Sequence, residues 1–166
     1  MDIQIVKANP TDAIKILDYL KQVGSETDNL TFGKEGVDFT PEQEAEYICK
    51  IANSTDSIMI LAKNKDEIVG IASLNRSPSR MNHRGEFGIS VLKQYWGNGV
   101  GSQLLSKIIL YAKQNSFQAI DLQVRSDNIR AIRLYEKFGF IKIGEHPAFF
   151  NINNKDIPFT YMLLKV

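Results

Sequence analysis

The stretch QYWGNGVGSQLL, residues 94–105, puts three glycines into five positions and runs straight into a helical pattern. Leu104, Leu105, Ile108, Ile109 and Ala112 fall on one helical face behind the glycines. Ahead of them, GEFGISVL reads as a strand, so the stretch is a strand-to-helix turn. Glycines let the backbone turn and approach a ligand, and the bare amides of a helix N-terminus favour an anion. A tight turn that holds nothing would use the same residues. Two known phosphate loops are excluded. A Walker loop needs a lysine where Gly101 is followed directly by Ser102, and the spacing of Gly97, Gly99 and Gly101 is not G-x-G-x-x-G.

Upstream, IQIV reads as a strand, and NPTDAIKILDYLKQVG as a capped helix with Ile14, Ile16, Leu17 and Leu20 inward and Gly24 as its stop. A polar link, SETDNLTFGKEGVDFT, precedes PEQEAEYICKIAN, whose Pro41 and carboxylates suit a helix start. SIMILAKNKDEIVGIASL is two buried strands around a turn at residues 64–66. Downstream, AIDLQV is a buried strand, and SDNIRAIRLYEKF is a helix started by Ser126 or Asp127 and ended by Gly139, with Asn128 also readable as a cap or first-turn residue. FIKIGEHPAF and PFTYMLLKV are strands around a turn at residues 153–156. The order β-α-α-β-β-β-α-β-α-β-β predicts an α/β fold with a mixed sheet in a single domain over residues 1–166. Crossover helices after the fourth and fifth strands imply parallel pairing in that part.

A chain of 166 residues holds one core, burying roughly 70% of its unfolded surface. Lys plus Arg number 20 against 19 Asp plus Glu, a balance that argues against nucleic-acid and membrane partners. Cys49 is the lone cysteine, read as an inert buried thiol, and His83 and His146 read as surface or packing residues. No spacing suggests a metal site, and the longest apolar runs, IMILA and IILYA, are far too short to span a membrane. A cytoplasmic protein is expected.

With its downstream partner the loop resembles the GNAT superfamily of N-acetyltransferases. In that family a strand enters a loop of the form Q/R-x-x-G-x-G/A before a helix, and N-x-x-A-x-x-x-Y-x-x-x-G-F follows. Here NIRAIRLYEKFGF matches at Asn128, Ala131, Tyr135, Gly139 and Phe140. The loop admits two registers: one sets Trp96 at the Q/R position with Gly99 and Gly101 as the glycines, the other uses Gln94, Gly97 and Gly99. The first is preferred, and it leaves an indole where a charge is expected. The resemblance is dense over residues 58–141, the acetyl-CoA-binding core.

The resemblance implies transfer of an acetyl group from acetyl-CoA to a primary amine of a small molecule or peptide, by direct attack in a ternary complex. A non-catalytic module that senses acyl-CoA is the alternative; it keeps the loop but needs neither Glu86 nor Tyr135. Cofactor contacts are expected from Ile89, Ser90 and Val91, from Trp96, Gly97, Asn98, Gly99, Val100, Gly101 and Ser102, and from Asn128 and Ala131. Tyr135 matches the tyrosine that protonates the departing thiolate, although helical spacing with Ala131, Leu134 and Phe138 also suits a core aromatic. Glu86 is either the base or a strand carboxylate that faces solvent or pairs with Arg84. Glu26, Asp28, Asn29 and Phe149 are candidate acceptor contacts, each equally readable as surface or packing. A homodimer through the late strands is a further expectation.

Overall fold

The structure, a computed structural model, describes residues 2–166. Seven strands form one mixed sheet: β1 (Ile3–Lys7), β2 (Ser57–Asn64), β3 (Glu67–Arg76), β4 (Arg84–Val91), β5 (Ala119–Arg125), β6 (Ile141–Ile152) and β7 (Lys155–Lys165). Four α-helices accompany them: α1 (Ala13–Glu26), α2 (Pro41–Ala52), α3 (Val100–Gln114) and α4 (Ile129–Lys137). The element order is the expected one, and the spatial order is β1-β2-β3-β4-β5-β7-β6.

The β2–β3 hairpin turns at Lys65 and Asp66, with Asn64 opposite Glu67. Both strands are nearly continuously buried because helices cover both faces. A Cβ on Gly70 of β3 would meet Leu104 of α3, which places α3 on one face. On the other face Tyr19 of α1 reaches Ser90 of β4 at 2.9 Å, and α2 packs beside α1. Leu104, Leu105 and Ile108 are 0% exposed, each worth about 1.5–3 kcal/mol of burial.

Several local expectations are corrected. Gly24 does not stop α1, which continues to Glu26. Instead Gly24 lets the 27–40 link lie on the helix: a Cβ there would sit 2.1 Å from the Gly33 carbonyl oxygen. Ile14 faces solvent, and the buried stripe is carried on by Tyr19 and Val23. Asn9 caps a short 3-10 turn that leads into α1. The cap of α4 is Asn128 rather than Ser126 or Asp127, because its side chain accepts from Ala131 N. Parallel pairing occurs only between β4 and β5; β7 inserts antiparallel between β5 and β6, so the second crossover brings no parallel neighbour. Cys49 is exposed on α2, not buried.

The feature that makes a site is the short β4–β5 pairing. It covers only Arg84, Gly85 and Glu86 against Ala119, Ile120 and Asp121. Beyond Glu86 the strands part, and β4 from Phe87 to Val91 has no partner on that side.

Candidate functional site

Where β4 and β5 part, a cleft of about 640 Å³ opens. Ile89, Ser90 and Val91 of β4 form its floor, and the first turns of α3 and α4 form its two walls. Thr27, Asn29 and Leu30, just after α1, close one end. The amide of Leu92 donates to the Val69 carbonyl at 2.9 Å. Alternate residues of a strand turn the same way, so Ser90 also points its amide to β3, while Ile89 and Val91 present theirs to the cleft. Ser90 contributes differently: its hydroxyl bonds the buried Tyr19 hydroxyl and ties β4 to α1.

After β4 a 3-10 turn (Lys93–Tyr95) aims the chain at α3. Tyr95 anchors it, donating to Glu67 at 2.9 Å and accepting from Asn64 at 3.1 Å. Gly97 and Gly99 have φ of 80° and 78°, and a Cβ on either would meet nothing within 4 Å. The backbone needs them to be glycine, and the space above them is bare. Gly101 lacks a positive φ, and a Cβ there would meet Leu134 of α4 at 3.3 Å. Of the three glycines, Gly101 alone has a backbone that alanine could share, as the Gly-or-Ala place of the register starting at Trp96 asks.

Gly99 begins α3 with no side-chain cap, and the first turn carries no acid. Gln103 N bonds the Gly99 carbonyl at 3.1 Å, which leaves the amides of Val100, Gly101 and Ser102 without intrahelical acceptors. Val100, Gly101 and Ser102 line the cleft. Facing them, Asn128 spends its side-chain oxygen on Ala131 N at 3.3 Å, and both residues line the opposite wall.

Tyr135 closes the inner end of the cleft. Its ring meets Phe87 edge-on at 6.2 Å and Phe140 at 5.8 Å. Burial pushes its phenol well above the ordinary value, so it stays protonated through the physiological range. The cleft therefore combines strand amides, an uncapped helix N-terminus and a protonated phenol.

A model of the acetyltransferase (GNAT) family matches residues 26–140. The chain belongs to the GNAT acetyltransferase family. It is similar to a GNAT-family acetyltransferase from Streptococcus pneumoniae at 30% identity, with TM-score 0.96 over 99% of this chain and 100% of that one. The yncA protein of Salmonella typhimurium, solved with its cofactor acetyl-CoA, shares the fold at 20% identity, with TM-score 0.85 over 98% of this chain and 93% of that one. A protein from Mycobacterium leprae is 33% identical over 121 residues, which are 70% of this chain and 32% of that one. The chain spans between about a quarter and about a half of the length of the curated relatives it matches.

Not every residue expected of a GNAT site reaches the cleft. Trp96 lines the cleft, but its indole N–H donates to the Val91 carbonyl at 2.7 Å and clamps the loop to β4. Asn98 is exposed, bonds the Trp96 carbonyl at 3.3 Å and does not line the cleft. Glu26 accepts from Lys93 N at 2.7 Å, tying the end of α1 to the loop, because α1 runs two residues further than expected. Asp28 lies outside the lining while Asn29 is within it.

Glu86 sits on the α1-side face of β4, exposed, beside a separate hollow shared with Ser73 and Asn75. Arg84 pairs with Asp121 at 2.9 Å rather than with Glu86. Phe149 stacks on Phe159 at 4.5 Å within an aromatic cluster on β6 and β7, away from the cleft lining. Three contributors had no signal in the sequence: Arg130, Tyr19 and Thr27. The end of the cleft closed by the link after α1 depends on long-range packing that no local spacing announces. Among the described residues no group of His, Cys, Asp and Glu could hold a metal, and no helix is long and apolar enough to cross a membrane.

Proposed function

We propose that the chain transfers an acetyl group from acetyl-CoA to a primary amine of a small molecule or peptide, by direct attack in a ternary complex. The observation that carries this reading is the convergence of Ile89 and Val91 amides, the uncapped start of α3 and Tyr135 in one cleft. The residues fit such a co-substrate. Gly97 and Gly99 leave bare backbone, and the amides of Val100, Gly101 and Ser102 suit a pyrophosphate at a helix N-terminus. The parted strand β4 supplies amides for an extended amide-bearing arm, as a missing sheet neighbour would.

Acetyl-CoA, when bound, supplies an activated thioester carbonyl. The amides of Ile89 and Val91 stabilise the oxyanion as the amine adds, a contribution commonly of about 3 kcal/mol for one donor. The C–N bond forms as the amine adds, the C–S bond breaks as the oxyanion collapses, and Tyr135 donates a hydrogen bond to the leaving sulfur. Its raised pKa makes complete proton transfer to a thiolate uphill, so the hydrogen bond itself carries the stabilisation and solvent completes protonation. The acceptor must arrive neutral, at a cost of about 4.6 kcal/mol for an alkylamine at pH 7. Glu86 lies four residues, about 13 Å, along β4 from Ser90, so it takes that proton through water rather than by contact.

The test is free-thiol release from acetyl-CoA across a panel of amines, with product mass confirming one added acetyl group. Coenzyme A binding without turnover on any amine would leave only the sensing module. A protein that binds no coenzyme A would refute both readings.

A further inference from the structure

Arg130, in the first turn of α4, lies over Trp96, with its guanidinium carbon 4.3 Å from the centre of the indole ring. Both residues line the cleft. The neighbouring acid, Asp127, is already held two ways by Arg125, at 2.9 and 2.7 Å. Arg130 itself forms no ion pair among the described residues. It also stands at the positive ends of two helices, because α3 and α4 both start at the cleft and neither carries an acid in its first turn. A cation held there faces an uncompensated positive field, and an anion in the cleft resolves it.

We infer that the Arg130–Trp96 stack is this chain's substitute for the charged or amide side chain expected at position 96, with Arg130 binding the pyrophosphate of the acyl donor across the cleft from the α3 amides. The inference rests on the proposed acetyl-CoA reading. Trp96 has spent its N–H on Val91, so its remaining function toward the cleft is its face. A flat guanidinium on that face is pre-positioned, with its edge donors free for phosphate oxygens. The charge thus comes from α4 rather than from the glycine loop.

The experiment is calorimetric titration of coenzyme A, of 3′-dephospho-coenzyme A, which keeps the pyrophosphate, and of pantetheine, which lacks the pyrophosphate, the 3′-phosphate and the adenosine, into the wild-type chain and the R130Q and R130K variants. Trp96 is the one tryptophan, so its emission reports contact directly. R130Q is expected to raise the Kd for both coenzyme A forms about 10- to 30-fold, to flatten their salt dependence, and to leave pantetheine binding and Tm unchanged. R130K should recover part of the affinity, since charge returns without the planar fork. In turnover, KM for acetyl-CoA should rise while kcat stays within about twofold. Equal affinity for either coenzyme A form in wild type and R130Q would overturn the inference while leaving the proposed function standing. A parallel loss for pantetheine, or a lowered Tm, would reduce Arg130 to a structural part and overturn it as well. A wild-type chain that binds no coenzyme A would overturn the function and the inference together.

Discussion

The starts of α2 and α3 are opposite solutions to one problem. Every helix leaves its first amides without partners. At α2, Thr40 accepts from Gln43 N at 3.2 Å, the Gln43 side chain accepts from Thr40 N at 2.9 Å, Pro41 removes one donor outright, and Glu42 and Glu44 meet the dipole. At α3 there is no side-chain cap, no acid, and a left-handed glycine in the cap position. The first start serves stability alone; the second leaves its donors exposed to a cleft. An unsatisfied helix end beside a fully satisfied one in the same chain marks where a ligand is expected to complete the fold.

That contrast is broken most sharply by Ser102→Asp. An acid in the first turn of α3 should make it resemble α2, raising stability by about 0.3–1 kcal/mol. It should also repel the pyrophosphate and weaken coenzyme A binding about 100-fold or more, read by calorimetry beside a thermal melt. Unchanged affinity would show that the open amides hold no anion.

Tyr135→Phe should lower kcat about 10- to 100-fold while coenzyme A affinity stays within about twofold, measured by thiol release and titration. Because burial raises the Tyr135 pKa, the protonated form is favoured by folding. Its contribution to stability is fully present below about pH 10 and is lost as pH rises from there through the raised folded value. Alkaline melts should therefore fall less steeply for Y135F than for wild type.

Gly24→Ala probes the opposite half. Its Cβ would overlap the Gly33 carbonyl, so the 27–40 link must shift, at a cost of about 1–3 kcal/mol by thermal or urea unfolding. Because Thr27, Asn29 and Leu30 of that link line the cleft, KM for acetyl-CoA should rise as well. The smallest effect is expected of Thr40→Ala: about 1 kcal/mol of stability, about 2–4 °C in Tm, and no change in ligand binding. A binding change in T40A would mean that the two helix ends are coupled.

The glycine loop and the α4 segment were legible because they are local. Residues 94–105 and 128–140 each join a glycine turn to a helical stripe within about a dozen positions, and their spacing survives without knowledge of their neighbours. Gly24 misled for the same reason. A glycine near the end of a helical stripe has the local signature of a stop, yet here it admits a backbone nine residues away along the chain. Glu26 and Trp96 were legible as polar groups near a loop, but their partners, Lys93 N and the Val91 carbonyl, could be named only once the chain had turned.

By itself, the order of residues determined the seven strands and four helices, the family, and the bare glycines at the mouth of α3. Periodicity, capping chemistry and the φ freedom of glycine act over a few residues, so they are written in short stretches. Only the tertiary structure decided which groups face the cleft: that β4 parts from β5 after Glu86, that Glu86 stands outside, and that Arg130 lies over Trp96. Those facts depend on how two strands diverge and on which helix start meets which. They are set by the packing of residues far apart in sequence, which no local pattern encodes.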